Sequence, residues 1–250
     1  MYTKIKTADE IESMRVAGKM LATVLQDVKQ YTRAGMSTKD MANHAADRLK
    51  TLGGKASFLG YQGFPDVICI SINDEVVHGI PSVNKIVEDG DIVSIDFGVT
   101  WKGMITDAAL TFVIGAVNPK ISKLISTTER SLMAGIDVLK AGVRVGDVAS
   151  AIQKVLDSGG YGIVQDLVGH GVGHQVHEEP NIPNYGLAGS GPVLQAGMTI
   201  AIEPMATLGG WNVTMDDDNW TIRTKDRSLA AHFEHTILIT EKGYEILTTL

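Results

Sequence analysis

Asp91-Ile92-Val93-Ser94-Ile95-Asp96-Phe97-Gly98-Val99-Thr100, then Trp101-Lys102-Gly103, then Ile105-Thr106-Asp107-Ala108-Ala109-Leu110-Thr111-Phe112-Val113-Ile114, reads as two strands joined by a tight turn. Each strand carries an acid in apolar surroundings. Asp is depleted in strands, and an unpaired buried carboxylate costs several kcal/mol or takes up a proton. For one such acid alone, a solvent-facing place on an amphipathic strand is the plain reading. Two in one hairpin are harder to place there. With Trp101-Lys102 as a two-residue turn, position 96 faces position 107, and facing residues have Cβ atoms about 4.5–5.5 Å apart on one face. Like charges that close repel unless a cation or a shared proton lies between them.

Outward from the hairpin, the chain repeats itself. Thr7 to Glu10 predicts a capping box opening a helix, a second helix runs from after Ser37 to Leu52, and Gly53-Gly54 stops it. Pro119 opens a third helix, and a fourth covers about Gly146 to Asp157. Strands return near Thr199 to Met205, Trp220 to Thr224 and Phe233 to Thr240. A shift of 107 residues lays Gly35 on Gly142, Asp40 on Asp147, Gly53 on Gly160, Gly90 on Gly197 and Asp96 on Glu203. An insertion of about 20 residues in the second half then brings Asp107 onto Glu234. The expectation is an α+β chain of two αβ halves, about 7–115 and 119–245, around an approximate two-fold axis. No Pro/Ser/Gly-rich linker divides them, which predicts one domain over 1–250.

The second half therefore supplies its own acidic pair, Glu203 and Glu234. Four carboxylates converging on one axis are balanced by two divalent cations. Acid-rich ligation with one imidazole suits Mn, Fe, Co or Zn in a two-metal site. The imidazole candidates, His170, His174 and His177, lie in Gly169-His170-Gly171-Val172-Gly173-His174-Gln175-Val176-His177-Glu178-Glu179-Pro180. No helix opens from these glycines as a dinucleotide loop requires, and the string is not His-Glu-x-x-His.

Composition bounds the rest. The chain of 250 residues is 44% hydrophobic with a formal net charge of −7 and no Lys/Arg-rich block, which argues against a nucleic-acid partner. Cys69 is the single cysteine, so no internal disulfide exists, as a reducing cytoplasm allows. The first ten residues have no apolar stretch of the signal type, and charged residues interrupt the most apolar region, so neither secretion nor a membrane partner is expected.

At these residues the chain resembles the type I methionine aminopeptidases. The family's metal ligands are Asp, Asp, His, Glu and Glu in that order. The matching settings here are Ile95-Asp96-Phe97-Gly98, Thr106-Asp107, Gly169-His170-Gly171-Val172-Gly173, Ile202-Glu203-Pro204-Met205 and Phe233-Glu234-His235-Thr236. Asn73-Asp74-Glu75-Val76-Val77-His78-Gly79-Ile80-Pro81 and His177-Glu178-Glu179-Pro180 match the segments holding the family's two substrate-binding histidines. The resemblance spans nearly the whole chain. It implies the two-fold symmetric "pita-bread" fold, with a central antiparallel sheet covered by helices.

The resemblance further implies hydrolysis of the initiator methionine from nascent polypeptides, with a small second residue preferred. Asp96, Asp107, His170, Glu203 and Glu234 would hold two divalent ions (Co, Mn, Fe or Zn), and a water they activate would attack the scissile carbonyl. Glu203 would relay the proton, His177 would contact the carbonyl oxygen and His78 the scissile nitrogen. Tyr61, Phe64, Cys69 and Trp220 would form the methionine pocket, where thioether–aromatic contacts help. Val176, Phe64 and Phe58 depart from residues common in relatives and bear on pocket shape, and His174 is expected to be structural. The expected partner is the N-terminal peptide of a nascent protein, met at the ribosome by a monomer in the cytoplasm. A proline-specific relative is the rival enzyme reading; those carry a large N-terminal domain, whereas here the catalytic half begins within about ten residues, as in a minimal bacterial-type enzyme.

Overall fold

The computed structural model describes residues 2–116 and 118–250. Helix α1 (Ala8–Tyr31) starts where Thr7 accepts the Glu10 N–H and Glu10 accepts the Thr7 N–H in return. Its apolar stripe buries Met14, Leu21, Val24, Leu25 and Val28, each worth roughly 1.5–3 kcal/mol. Helix α2 (Thr38–Leu52) uses the same device on Ser37 and Asp40, and stops at Gly53, whose φ of 82° costs a glycine little. Strands β1 (Lys55–Ala56), β2 (Cys69–Ile72), β3 (Glu75–Val77), β4 (Ile92–Trp101) and β5 (Met104–Val113) complete the first half.

The second half restarts with α3 (Pro119–Asp137), capped by the Asn118 side chain, and α4 (Val145–Gly159). Strands β6 (Gly162–Ile163), β7 (Gly169–Gly171), β8 (Glu178–Ile182), β9 (Thr199–Ile202), β10 (Met205–Thr207), β11 (Val213–Met215), β12 (Ile222–Thr224), β13 (Ala230–His232), β14 (His235–Ile239) and β15 (Tyr244–Ile246) follow. Helices α2 and α4, and strands β1 and β6, stand 107 residues apart. The antiparallel bridges Ser37–Ile86 and Arg144–Val193 keep the same spacing, as do the pairings Lys55–Thr100 and Gly162–Thr207. The extra residues of the second half are 208–229, an excursion in which β11 pairs with β12 and β12 crosses to β3 of the first half.

Three details differ from the sequence reading. The hairpin turn is Lys102-Gly103, not Trp101-Lys102, because Trp101 pairs with Met104. Positive φ at both turn residues (48° and 81°) makes a type I′ turn, which matches strand twist and suits glycine in second place. Asp96 therefore faces Ala109, and Asp107 faces Gly98. Second, the strands expected over 199–205 and 233–240 are interrupted at Glu203-Pro204 and Phe233-Glu234. Pro204 has no N–H to give a ladder. Third, the central sheet is divided, among the described residues, into separately hydrogen-bonded antiparallel groups, the largest being β15-β14-β9-β7-β8. One apolar core packs α1 and α2 on β4; the other packs α3 and α4 on β9 and β14.

The halves join where β5 runs beside β13 and β14. Ala109 and Glu234 exchange backbone hydrogen bonds at 3.3 and 2.9 Å. On either side, a threonine replaces the backbone partner. Thr111 Oγ1 donates to the His232 carbonyl (2.6 Å) and accepts from its N–H (2.9 Å). Thr236 Oγ1 donates to the Asp107 carbonyl and accepts from its N–H, both at 2.8 Å. Thr236→Val keeps the shape and strands two buried groups of Asp107, so it should cost about 2–4 kcal/mol in urea unfolding, from about 1–3 kcal/mol per unsatisfied group. Thr236→Ser should recover most of the loss. A Val variant as stable as the parent would show that these bonds carry no weight.

Candidate metal centre

The diagonal register brings Asp96 and Asp107 to one face of the hairpin, with diagonal neighbours roughly 7–8 Å apart, wide enough to flank an ion. Glu203 and Glu234 occupy the two interruptions noted above, where the chain leaves the ladder and can turn a carboxylate inward. Asn184 Nδ2 donates to the Glu203 carbonyl at 3.0 Å, which holds that interruption in place. His170 is the middle residue of β7, opposite Ala201 of β9. The corresponding place in the first half is Ser71 of β2, opposite Ser94, whose hydroxyl accepts the Gly79 N–H. One half thus presents a hydroxyl already in use and the other an imidazole, so the symmetric frame carries an asymmetric donor set.

Asp96, Asp107, His170 and Glu234 are buried. Asp107, His170 and Glu234 each bring one donor atom within 4.8 Å of the others, and so do Glu203, His232 and Glu234. Asp96 Oδ1, Asp107 Oδ1 and Glu234 Oε1 have no hydrogen-bond partner among the described residues. Burial pushes Asp107 up to about 7 and Glu203 up to about 8, and it holds Asp96 and Glu234 well above the usual carboxylate range with help from their neighbours' charge. His170 Nδ1 donates to the Gly171 carbonyl at 2.9 Å, so the Nε2 lone pair points at Glu203 Oε1, 3.5 Å away. A lone pair facing a carboxylate is repulsive unless a cation or a proton sits between them. The donors are oxygens plus one imidazole whose tautomer is fixed from behind, the arrangement metal-binding histidines use. These residues fit divalent cations.

Beside this cluster is a cavity of about 170 Å³. Phe58, Phe64, Cys69 and Val176 form its buried apolar wall, with Tyr61 and Trp220 packed against them. Phe64 and Trp220 meet edge-to-face at 5.1 Å, and the excursion 208–229 is what carries Trp220 there. His78 lies in a left-handed turn at φ 60°, a conformation rare outside glycine that marks an over-determined position. Burial lowers its pKa to about 4, with His232 and His177 adding to the effect, so it is neutral near pH 7. His177 meets His170 edge-to-face with ring centroids 4.3 Å apart, and its Nδ1 is 2.9 Å from the Tyr61 hydroxyl. Burial lowers its pKa too.

The structure thus gathers the four acids and one imidazole expected as ligands, the two further histidines and the four pocket residues around one cavity. His174 stands apart, as expected: its Nε2 is 2.8 Å from Glu10 Oε1, and its backbone N–H binds Glu178. Sequence reasoning passed over His232, Asn184 and Thr236. The one hint of His232 in the sequence is its place two residues before Glu234, but the strand expected there began at Phe233 and left it out.

Comparison with known proteins agrees with this geometry. The description of metallopeptidase family M24 matches residues 12–241. The methionine aminopeptidase of Clostridium acetobutylicum is 45% identical over 244 residues, 98% of each chain. The crystal structure of methionine aminopeptidase from Thermotoga maritima superposes with a TM-score of 0.98 at 45% identity, covering 99% of this chain and 100% of that one. Prolidase from Pyrococcus furiosus superposes at 0.79 with 25% identity, and this chain covers 65% of it.

Proposed function

The chain belongs to metallopeptidase family M24, and we propose that it removes the N-terminal methionine from polypeptides by hydrolysis. The observation that carries the reading is the contact between a cation-binding acidic cluster and an aromatic-walled cavity of about 170 Å³. The cavity takes one apolar side chain, and the acidic end takes the free α-amine beside it. Interior chain segments lack that amine, so only an N-terminus fits. The small cavity and thioether–aromatic contacts of about 0.3–1.5 kcal/mol favour methionine.

Asp96, Asp107, His170, Glu203 and Glu234 would hold two divalent cations. When bound, Mn, Fe, Co or Zn supplies Lewis acidity and lowers the pKa of water toward neutrality. Glu203 takes the proton from the attacking water and passes it to the leaving nitrogen. With the Tyr61 hydroxyl donating to His177 Nδ1, the single N–H of the neutral imidazole lies on Nε2, where it would bind the carbonyl oxygen as negative charge develops there. His78, neutral in its buried turn, contacts the scissile nitrogen. The five ligands, the two histidines and the pocket residues Tyr61, Phe64, Cys69 and Trp220 hold these roles as parts of the proposal.

We read the chain as one catalytic domain that works as a monomer on nascent-protein N-termini, at the ribosome and in the cytoplasm, with a preference for a small second residue. No helix of the described residues is long and apolar enough to cross a membrane. The deciding assay offers Met-Ala-Ser and Ala-Pro peptides to the protein supplied with Mn or Co. Methionine release without Ala-Pro cleavage is expected, and Ala-Pro cleavage would move the reading to a proline-specific enzyme. Phe64→Ala should raise KM for Met-Ala-Ser about tenfold with kcat nearly unchanged, since losing part of an apolar pocket costs about 1–3 kcal/mol of binding. An unchanged KM would remove Phe64 from the pocket.

A further inference from the structure

His232 is buried at the end of β13, its side chain 1% exposed, and neither ring nitrogen has a hydrogen-bond partner among the described residues. Its Nε2 lies 3.4 Å from Oε2 of Glu203. The opposite oxygen, Oε1, lies 3.5 Å from His170 Nε2. Two imidazoles therefore bracket the two oxygens of one carboxylate, and they differ in what stands behind them. The Gly171 carbonyl fixes the His170 proton on Nδ1, so His170 offers a lone pair. His232 Nδ1 has no such partner among the described residues, so its ring is free to place the proton on Nε2, toward the carboxylate. That tautomer exchanges a buried N–H without an acceptor for a charge-assisted bond, and leaves only a bare lone pair at Nδ1. The backbone is held for this purpose, because Thr111 binds both the N–H and the carbonyl of His232.

We infer that His232 is a positioning residue for Glu203: its Nε2–H donates to Oε2 and leaves Oε1 turned toward His170. This deepens the hydrolytic reading above and rests on it for the role of Glu203. The bond fixes the side-chain torsion of Glu203.

Two measurements need no peptide. The ¹⁵N spectrum of the Zn-loaded full-length protein, in which Glu203 is held as a carboxylate, with His232 identified by its absence in His232→Gln, should show the Nε2–H tautomer; an Nδ1–H tautomer overturns the inference. Calorimetric titration of Mn into metal-free protein should give His232→Gln the parent stoichiometry and near-parent affinity, because the amide also donates. Loss of one ion from the stoichiometry would make His232 a ligand and overturn the inference. In turnover, His232→Leu should lower kcat about 10–100-fold, the range for groups that orient ligands, with KM nearly unchanged, and His232→Gln should recover most of it. Gln no better than Leu contradicts a donor role. Absence of turnover in the unsubstituted protein would instead defeat the hydrolytic reading and leave the tautomer result standing.

Discussion

Glu203→Gln should lower kcat for methionine release by about 10³-fold, within the 10²–10⁴ that a positioned general base contributes. The amide keeps the size and still offers an oxygen toward His170, while Asn184 continues to hold the backbone carbonyl at this position. What disappears is the charge that accepts a proton and would help hold the cations, and saturating Mn offsets the second loss. KM should therefore move by less than about threefold, because the proposed function places substrate binding on the cavity and on His177 and His78. Steady-state kinetics on Met-Ala-Ser under saturating Mn makes the measurement. A kcat within fivefold of the parent, on the order of 1 kcal/mol in the barrier, would remove Glu203 from proton transfer.

The second large effect concerns stability without metal. Burial raises Glu203 to about 8 and Asp107 to about 7, from ordinary values of 4.5 and 3.8. A folded-state pKa above the unfolded one means that the folded form holds the proton more tightly. That contribution is complete below about pH 4 and fades as pH rises through 7 and 8. The buried His170 and His232, lowered to about 3 from 6.5, act in the opposite sense, but their loss occurs only as pH falls below 6.5. Between pH 6.5 and 8 the carboxylates act against the stripped fold without that opposition. One such group changes stability by up to about 2 kcal/mol over that interval. Chelator-treated protein should therefore lose Tm from pH 6.5 to 8, the Mn-loaded protein should not, and the gap should widen with pH. Asp107→Asn removes one charge from the cluster, so it should flatten the stripped profile and weaken Mn uptake together. A stripped protein whose Tm is level across this range would contradict a cluster of crowded carboxylates.

The helices were legible because their ends are written in local chemistry. Thr7 with Glu10, Ser37 with Asp40, and Gly53 act over three or four residues and owe little to the rest of the chain. The acids were legible because apolar strands have few reasons to contain them. The hairpin register was not, since Trp101-Lys102 and Lys102-Gly103 are both two-residue turns, and the choice depends on which pair accepts two positive φ angles. The interruption after Ile202 was readable from Pro204, which has no N–H for a ladder, whereas Phe233-Glu234 contains no residue that breaks a strand and gave no such sign. His232 escaped because a lone histidine beside a stronger residue carries no pattern of its own. Its meaning depends on distances of 3.4 and 3.5 Å around the Glu203 carboxylate.

The central claim is that acids from both halves meet on the pseudo-two-fold axis and are held there by cations. Anomalous diffraction from crystals soaked in Mn at pH 7.5 tests it directly. Two peaks roughly 3.5–4 Å apart, enclosed by Asp96, Asp107, His170, Glu203 and Glu234, are the expected result. Peaks confined to surface carboxylates, with none among these five residues at saturating Mn, would contradict it.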